Sequence, residues 1–227
     1  MRVSFVVPAY NEESTIGEVL ERVSALDLDK QIVVVDDGST DGTPRVLEWW
    51  RDRDGVVVVR QENRGKGAAI RAAIPHLDGE IAVIQDADME YDPADVPELI
   101  EPIVRGAADV VFGSRLSGGR PQRAYLFWHL LGNRFLSLLT NVLFNTTISD
   151  METGYKAFRT EVLRSLDLRE DDFGIEPEIT AKVCKRKLRL YELPISYYGR
   201  SYAEGKKITW RDGFKAILVL LRVRLSG

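Results

Sequence analysis

Asp86 and Asp88 stand one residue apart at the end of the apolar run Ile81-Ala82-Val83-Ile84, within Gln85-Asp86-Ala87-Asp88-Met89-Glu90-Tyr91-Asp92-Pro93. In extended chain, residues i and i+2 project to the same side, so the two carboxylates can converge on one point. Carboxylates at one point repel each other unless a cation lies between them. Mg²⁺ or Mn²⁺, held by one or two carboxylates together with substrate phosphates, is the usual arrangement. The spacing therefore predicts a divalent metal set against a diphosphate. The competing reading of the same residues is a solvated turn before Pro93, with one acid capping the next helix.

The elements that must position these acids follow from the apolar pattern. Five β-rich runs recur, Val3–Val7, Gln31–Val35, Val56–Arg60, Ile81–Gln85 and Asp109–Phe112. Helical patterns separate them: Ser14–Leu26, with Ile16, Val19, Leu20 and Val23 on one face, then Thr43–Trp50, Gly67–Leu77 and Ala94–Val104. A further helix is expected over Pro177–Arg186. Strands alternating with helices predict a parallel sheet covered on both faces. Ligands of such sheets bind beyond the carboxyl ends of the strands. Those ends here are Pro8–Glu12, Asp36–Gly42, Asn63–Gly67 and Asp86–Asp92.

Composition bounds the rest. The 227 residues are 44% hydrophobic with a net charge of −4, enough apolar content for one large domain. A lone cysteine, Cys184, excludes an internal disulfide framework and a multi-cysteine metal site, and a reducing compartment is expected. The chain enters a strand at once, so no signal peptide is expected. The last 28 residues carry seven Lys and Arg against two acids, which suggests an anionic partner there.

After Gly119 the pattern changes. Ala124–Phe144 reads as a long helical region in which His129, Asn133, Ser137 and Asn141 form a polar stripe every four residues, with Arg134 beside it. Arg134 in mid-span argues against a membrane crossing. A helix lying in the membrane surface is expected, the alternative being burial against the core or in a dimer interface. Ile208–Leu225 sets Trp210, Phe214, Ile217, Leu218 and Leu221 against Arg211, Lys215 and Arg222, the composition of an interfacial helix.

Four ordered motifs resemble those of the inverting glycosyltransferases of family two, whose nucleotide-sugar-binding fold is called GT-A. They are Pro8-Ala9-Tyr10-Asn11-Glu12-Glu13, Asp36-Asp37-Gly38-Ser39-Thr40-Asp41-Gly42, Asn63-Arg64-Gly65-Lys66-Gly67 and Asp86-Ala87-Asp88. Within that family the chain is most similar to dolichyl-phosphate mannose synthases and bacterial polyprenyl-phosphate hexose synthases. Gly113-Ser114-Arg115, the stretch Ser149–Arg159, Glu176-Pro177-Glu178, and Pro194–Arg200 with Lys206 carry that narrower match. The resemblance implies an α/β, Rossmann-like fold with a mainly parallel central sheet and amphipathic interfacial helices. It implies a single domain over 1–227, with a nucleotide-sugar part at 1–118, an acceptor part at 119–207 and a C-terminal amphipathic helix at 208–227.

It also implies roles for residues. Pro8, Tyr10 and Glu12 would hold base and ribose, Tyr10 by stacking and Glu12 by accepting from hydroxyls. Asp37, with the backbone near Val35, would read the base; its carboxylate suits uracil and guanine alike. Asp86, Ala87 and Asp88 would hold metal and diphosphate, with Glu90 as a further metal ligand where the synthases commonly have Gln. Arg115, Arg200 and Lys206 would contact anionic groups of donor or acceptor, with His129 and Arg134 as further candidate cations. Asp150 and Glu152 would shape the acceptor or sugar site. Independently of the resemblance, Glu176 and Glu178 suit the cap of the following helix, the alternative being a contact to sugar hydroxyls. The catalytic set is Asp88, Arg115 and Asp150.

The implied function is transfer of a hexose from a GDP- or UDP-sugar to a polyprenyl or dolichyl phosphate, with Mg²⁺ or Mn²⁺ as cofactor. The implied place is the cytoplasmic face of the membrane, with the protein peripheral to its surface and no nucleic acid as partner. Alternatives are a family-two enzyme acting on a hydroxyl acceptor, with Asp150 as base, and a non-catalytic nucleotide-sugar-binding module.

Overall fold

The computed structural model describes residues 1–123, 126–200 and 210–226. Seven strands form one sheet: β1 (Val3–Ala9), β2 (Lys30–Asp36), β3 (Val56–Arg60), β4 (Ile81–Ile84), β5 (Val110–Ser114), β6 (Lys156–Arg159) and β7 (Leu190–Pro194). Their order is β3-β2-β1-β4-β6-β5-β7. All neighbours are parallel except β6, which runs antiparallel between β4 and β5. The helices are α1 (Ile16–Ser24), α2 (Thr43–Glu48), α3 (Lys66–Ala73), α4 (Val96–Val104), α5 (Phe127–Phe144), α6 (Thr160–Ser165), α7 (Ile175–Lys185) and α8 (Trp210–Leu225).

The five expected strands are present, with ends within two residues of their predicted positions. Strands β6 and β7 are additional. Neither has an apolar run to announce it: β6 reads Lys-Ala-Phe-Arg, and β7 contains Glu192 and ends on Pro194. Lys156 enters β6 because its ammonium is bonded to the Met151 and Thr153 carbonyls and lies 4.6 Å from the Phe112 ring centre.

Alternation divides the core between two faces. Val3, Phe5, Val7 and Ala9 pack with α1 and α4 on one side. Val6, Val33 and Val35 pack with α3, α6 and α7 on the other. A side chain such as Phe5, fully buried, contributes about 1.5–3 kcal/mol. A third cluster joins α5, α7 and α8 through Leu136, Ala181, Ala216, Val219 and Leu220.

Helix α5 turns the lower part of its polar stripe toward the protein. Ser137 Oγ accepts from the Met151 amide at 3.0 Å. Asn141 bonds both amide and carbonyl of Ile148 at 2.9 Å. The lower part of the stripe thus faces the protein and anchors the loop that carries Asp150. Phe127, Trp128, Leu131, Phe135, Leu138 and Val142 face outward, Trp128 at 77% exposure. On α8, Phe214, Leu218, Leu221 and Leu225 are likewise exposed. The expected basic face of α8 is partly spent within the chain, since Lys215 pairs with Glu170 and Asp172, and Arg222 with Glu170. Among the described residues no helix is long and apolar enough to cross a membrane.

Candidate active site

A cavity of about 340 Å³ opens where the parallel strands end. Pro8 at the end of β1, Tyr10 and Glu12 after it, Asp37 after β2, and Asn63 and Gly65 after β3 line one side. Asp86, Ala87 and Asp88 after β4 lie at the middle of the sheet order. Arg115 after β5, Glu152 and Gly154 before β6, and Tyr197 and Arg200 after β7 line the other side. Antiparallel β6 is essential to this: its beginning, not its end, meets the carboxyl edge of β4.

The two central acids face different cations. Lys66, at the start of α3, lies 2.7 Å from Asp86 and 2.8 Å from Glu176. Burial works against its charge, but those two carboxylates outweigh it and hold Lys66 protonated well above the usual lysine range. Arg200 lies 3.0 Å from Asp88 and spans to both carboxylate oxygens of Glu12. Burial, then the neighbouring Asp86 and Glu90 carboxylates, push the Asp88 carboxyl up to about 7 against the pull of Arg200.

Glu90 lines the same cavity and also holds a loop. The chain turns at Met89, whose φ is 63°. Glu90 then accepts from Tyr197 Oη at 3.0 Å and from the Arg200 amide at 2.6 Å. It anchors the Tyr197–Arg200 loop while lining the same cavity as Asp86 and Asp88. Among the described residues no group of three His, Cys, Asp or Glu side chains surrounds one point.

Asp37 lines the cavity, yet its oxygens accept from Gln61 Nε2 at 2.6 Å and from the Arg64 and Gly65 amides at 2.9 and 2.7 Å. It folds the Asn63–Gly67 loop as well as facing the site. That loop packs tightly against the chain beyond α6, since a Cβ on Gly65 would lie 2.5 Å from the Asp171 carbonyl oxygen. Asp36 caps its own turn, accepting from the Ser39 amide at 2.9 Å. Val35 is fully buried in the core face beneath the sheet and does not line the cavity.

Arg115 and Asp150 form a bidentate pair at 2.7 Å, with the Arg115 amide donating to the same carboxylate at 2.9 Å. Burial alone would raise the Asp150 carboxyl; the Arg115 guanidinium outweighs it and keeps it below the usual carboxylate range. Asp150 is wholly buried and does not line the cavity, so it holds Arg115 in place and is not positioned as a base.

Residues 4–167 match the family described as Glycosyl transferase family 2. The chain belongs to glycosyltransferase family 2. It is 32% identical over 222 residues to the glycosyltransferase AglJ of Haloferax volcanii, across 97% of this chain and 71% of that protein. It is 30% identical over 199 residues to a dolichyl-phosphate hexose transferase of the same organism, across 88% of this chain and 84% of that one. Glucosyl-3-phosphoglycerate synthase of Mycobacterium tuberculosis, solved with Mn²⁺, uridine diphosphate and glucosyl-3-phosphoglycerate, shares the fold. It superposes with a TM-score of 0.72 at 24% identity, over 98% of this chain and 79% of that one. The GT-A architecture expected from the motifs is thus the observed one.

In this glycosyltransferase the structure adds residues to the expected site. Lys66 was legible as the only side chain between two glycines in its motif, a cation on a loop at a strand end. Glu176 serves Lys66 and lines the cavity, while Glu178 binds the Arg169 and Glu170 amides. Tyr197 stacks under Arg115, 5.2 Å from ring centre to guanidinium; it lies in the Pro194–Arg200 motif, of which only Arg200 was given a role. Lys206 lies outside the described residues. His129 and Arg134 do not line the cavity.

Proposed function

We propose that this glycosyltransferase transfers a hexose from a GDP- or UDP-sugar to a polyprenyl or dolichyl phosphate, with inversion, at the cytoplasmic membrane surface. One observation carries the acceptor: helices α5 and α8 turn apolar faces outward while their inner faces hold the loops around the cavity. Asn141 and Ser137 hold the Asp150 loop, and Lys215 pairs with Asp172 at the cavity wall. Exposed apolar patches of this kind mark interaction surfaces. A lipid surface there would deliver a phosphate to the cavity. The name of the dolichyl-phosphate hexose transferase relative agrees with such an acceptor.

The donor set fits a hard divalent cation. Asp86 and Asp88 offer carboxylate oxygens only and line one cavity, where a cation would offset their mutual repulsion. Glu90, in the same cavity, is a candidate third ligand, and remaining positions would fall to the diphosphate and water, as Mg²⁺ and Mn²⁺ sites commonly arrange. Bound by Asp86 and Asp88, the metal would neutralise the leaving nucleoside diphosphate.

The remaining work belongs to the chain's own side chains. A phosphate monoester has its second pKa near ~6 and is already a nucleophile at neutral pH, so no general base is required. This agrees with Asp150 being committed to Arg115. Arg115, and Arg200 once released from Asp88, offset repulsion between the incoming phosphate and the donor diphosphate. Attack opposite the leaving group inverts the anomeric carbon. Tyr10 and Asp37 bind the nucleoside at the β1–β3 side.

Incubation with polyprenyl phosphate, a panel of UDP- and GDP-sugars and Mg²⁺ or Mn²⁺ tests the reading. The expected product is a lipid-phosphate sugar whose formation excess EDTA stops, together with association with anionic vesicles at low salt. Transfer to a hydroxyl acceptor alone, or full activity in EDTA, overturns it.

A further inference from the structure

Among the described residues that line the cavity, Glu152 carries a buried carboxylate oxygen without a hydrogen-bond partner. Glu152 lies in the turn between Asp150 and β6 and lines the cavity. The residue is half-buried, and its Oε1 is sealed from solvent without a hydrogen-bond partner among the described residues. Buried polar atoms are nearly always satisfied, and an unpaired one asks for a ligand or other partner.

The turn that carries Glu152 is rigid. On one side Asp150 is locked to Arg115. On the other the Gly154 amide donates to Tyr91 Oη at 3.0 Å. Beneath, the Lys156 ammonium binds the Met151 and Thr153 carbonyls. A Cβ on Gly154 would lie 2.6 Å from Asp86 Oδ2, so the turn backbone runs directly against the diphosphate-side carboxylate. Along the chain Glu152 thus lies between Asp150, which holds Arg115, and Gly154, which lies against Asp86; Asp86 is assigned above to the donor diphosphate, and Arg115 to offsetting repulsion between donor and acceptor phosphates. The part of the substrates that must span this gap is the sugar ring.

The chemistry of a carboxyl suits that part. Against a phosphate, an ionised carboxyl repels. Against a hydroxyl it accepts a hydrogen bond when ionised and can also donate one when protonated. Resting on the reading of the cavity as a nucleotide-sugar site, we infer that Glu152 is a specificity-determining contact that hydrogen-bonds a hydroxyl of the transferred sugar.

Binding without acceptor tests this separately from the acceptor assignment. UDP-glucose, UDP-N-acetylglucosamine and GDP-mannose are titrated into the full chain by calorimetry with Mn²⁺, beside free UDP and GDP. For the tightest nucleotide sugar, Glu152→Ala is expected to weaken binding about 10-fold or more, with less than about twofold change for the matching nucleoside diphosphate. Glu152→Gln, which keeps a donor and an acceptor, is expected to recover most of the loss. Donors deoxygenated at single ring positions identify the hydroxyl: one of them loses its penalty in Glu152→Ala, a coupling that a merely structural role does not produce. Equal weakening of sugar nucleotide and free nucleotide, or no weakening of either, overturns the inference. If Glu152→Ala does not fold, the near-isosteric apolar Glu152→Leu takes its place, and unchanged deoxy-donor discrimination by Glu152→Leu overturns the inference equally. Absence of transfer to polyprenyl phosphate with the binding pattern intact would instead count against the lipid acceptor alone.

Discussion

Two acid pairs of the same spacing meet at one edge of the sheet and behave differently. Asp86-Ala87-Asp88 follows β4, and Asp150-Met151-Glu152 precedes β6; the two strands are antiparallel neighbours, with Ile84 opposite Lys156. In the first pair both acids face the cavity, each matched by a cation from elsewhere in the chain, Lys66 and Arg200. In the second pair Asp150 turns inward to Arg115 and Glu152 alone faces the cavity. Identical spacing does not ensure identical direction once the chain leaves the strand. The partner cation decides which way each carboxylate turns, because an unpaired buried charge is far costlier than a strained turn.

The sharpest break of this comparison is Asp150→Ala. It leaves Arg115 as an uncompensated buried charge, with an expected destabilisation of about 3–5 kcal/mol, read as a lower Tm. A Tm unchanged within a degree or two would mean that Asp150 is not the counter-ion of Arg115. Next come Asp86→Asn and Asp88→Asn. Glu176 still neutralises Lys66, and Glu12 still neutralises Arg200, so the fold should survive with little change in Tm. Sugar transfer is expected to fall about a thousandfold, equivalent to about 4 kcal/mol of transition-state stabilisation. Retained activity in either variant would remove that carboxylate from the metal set.

A smaller effect separates Glu152 from its neighbour by pH. Burial first, then the Glu176 carboxylate, push the Glu152 carboxyl from an ordinary 4.5 to about 8. Between those values the folded protein binds a proton that the unfolded chain does not. Its contribution to stability therefore falls as pH rises through that window. Thermal melts of the native protein and Glu152→Gln across the window should differ in slope, the native protein declining more. Parallel curves would contradict the assignment. The smallest expected effect is at the support: Ser137→Ala, which leaves the Met151 amide without its acceptor, should cost about 1 kcal/mol with nucleoside diphosphate affinity unchanged. A larger loss of that affinity than of stability would extend the reach of α5 to the donor side.

Much of the donor side was legible beforehand. Val3–Val7 and Ile81–Ile84 are apolar runs bounded by turn residues, and that pattern alone predicts buried parallel strands with ligands at their ends. Asp86 and Asp88 follow from one such end by counting. The acceptor side was not legible in the same way. Lys156 looks like a surface residue until the carbonyls of Met151 and Thr153 are brought above it. The stripe of His129, Asn133, Ser137 and Asn141 shows helical period but not which side faces water. Nor did the sequence show that Glu90 holds Tyr197 and the Arg200 amide, more than a hundred residues later.

The sequence by itself therefore determined the strand–helix alternation, the edge at which ligands bind, the central carboxylates and the family. Those rest on local periodicity and on residues close together along the chain. Only the tertiary structure decided that β6 enters antiparallel, that Asp150 serves Arg115 while Glu152 faces the cavity, and that α5 turns its polar stripe inward. Each of these depends on which distant group supplies a hydrogen bond or a countercharge, and a buried polar group takes its direction from that partner.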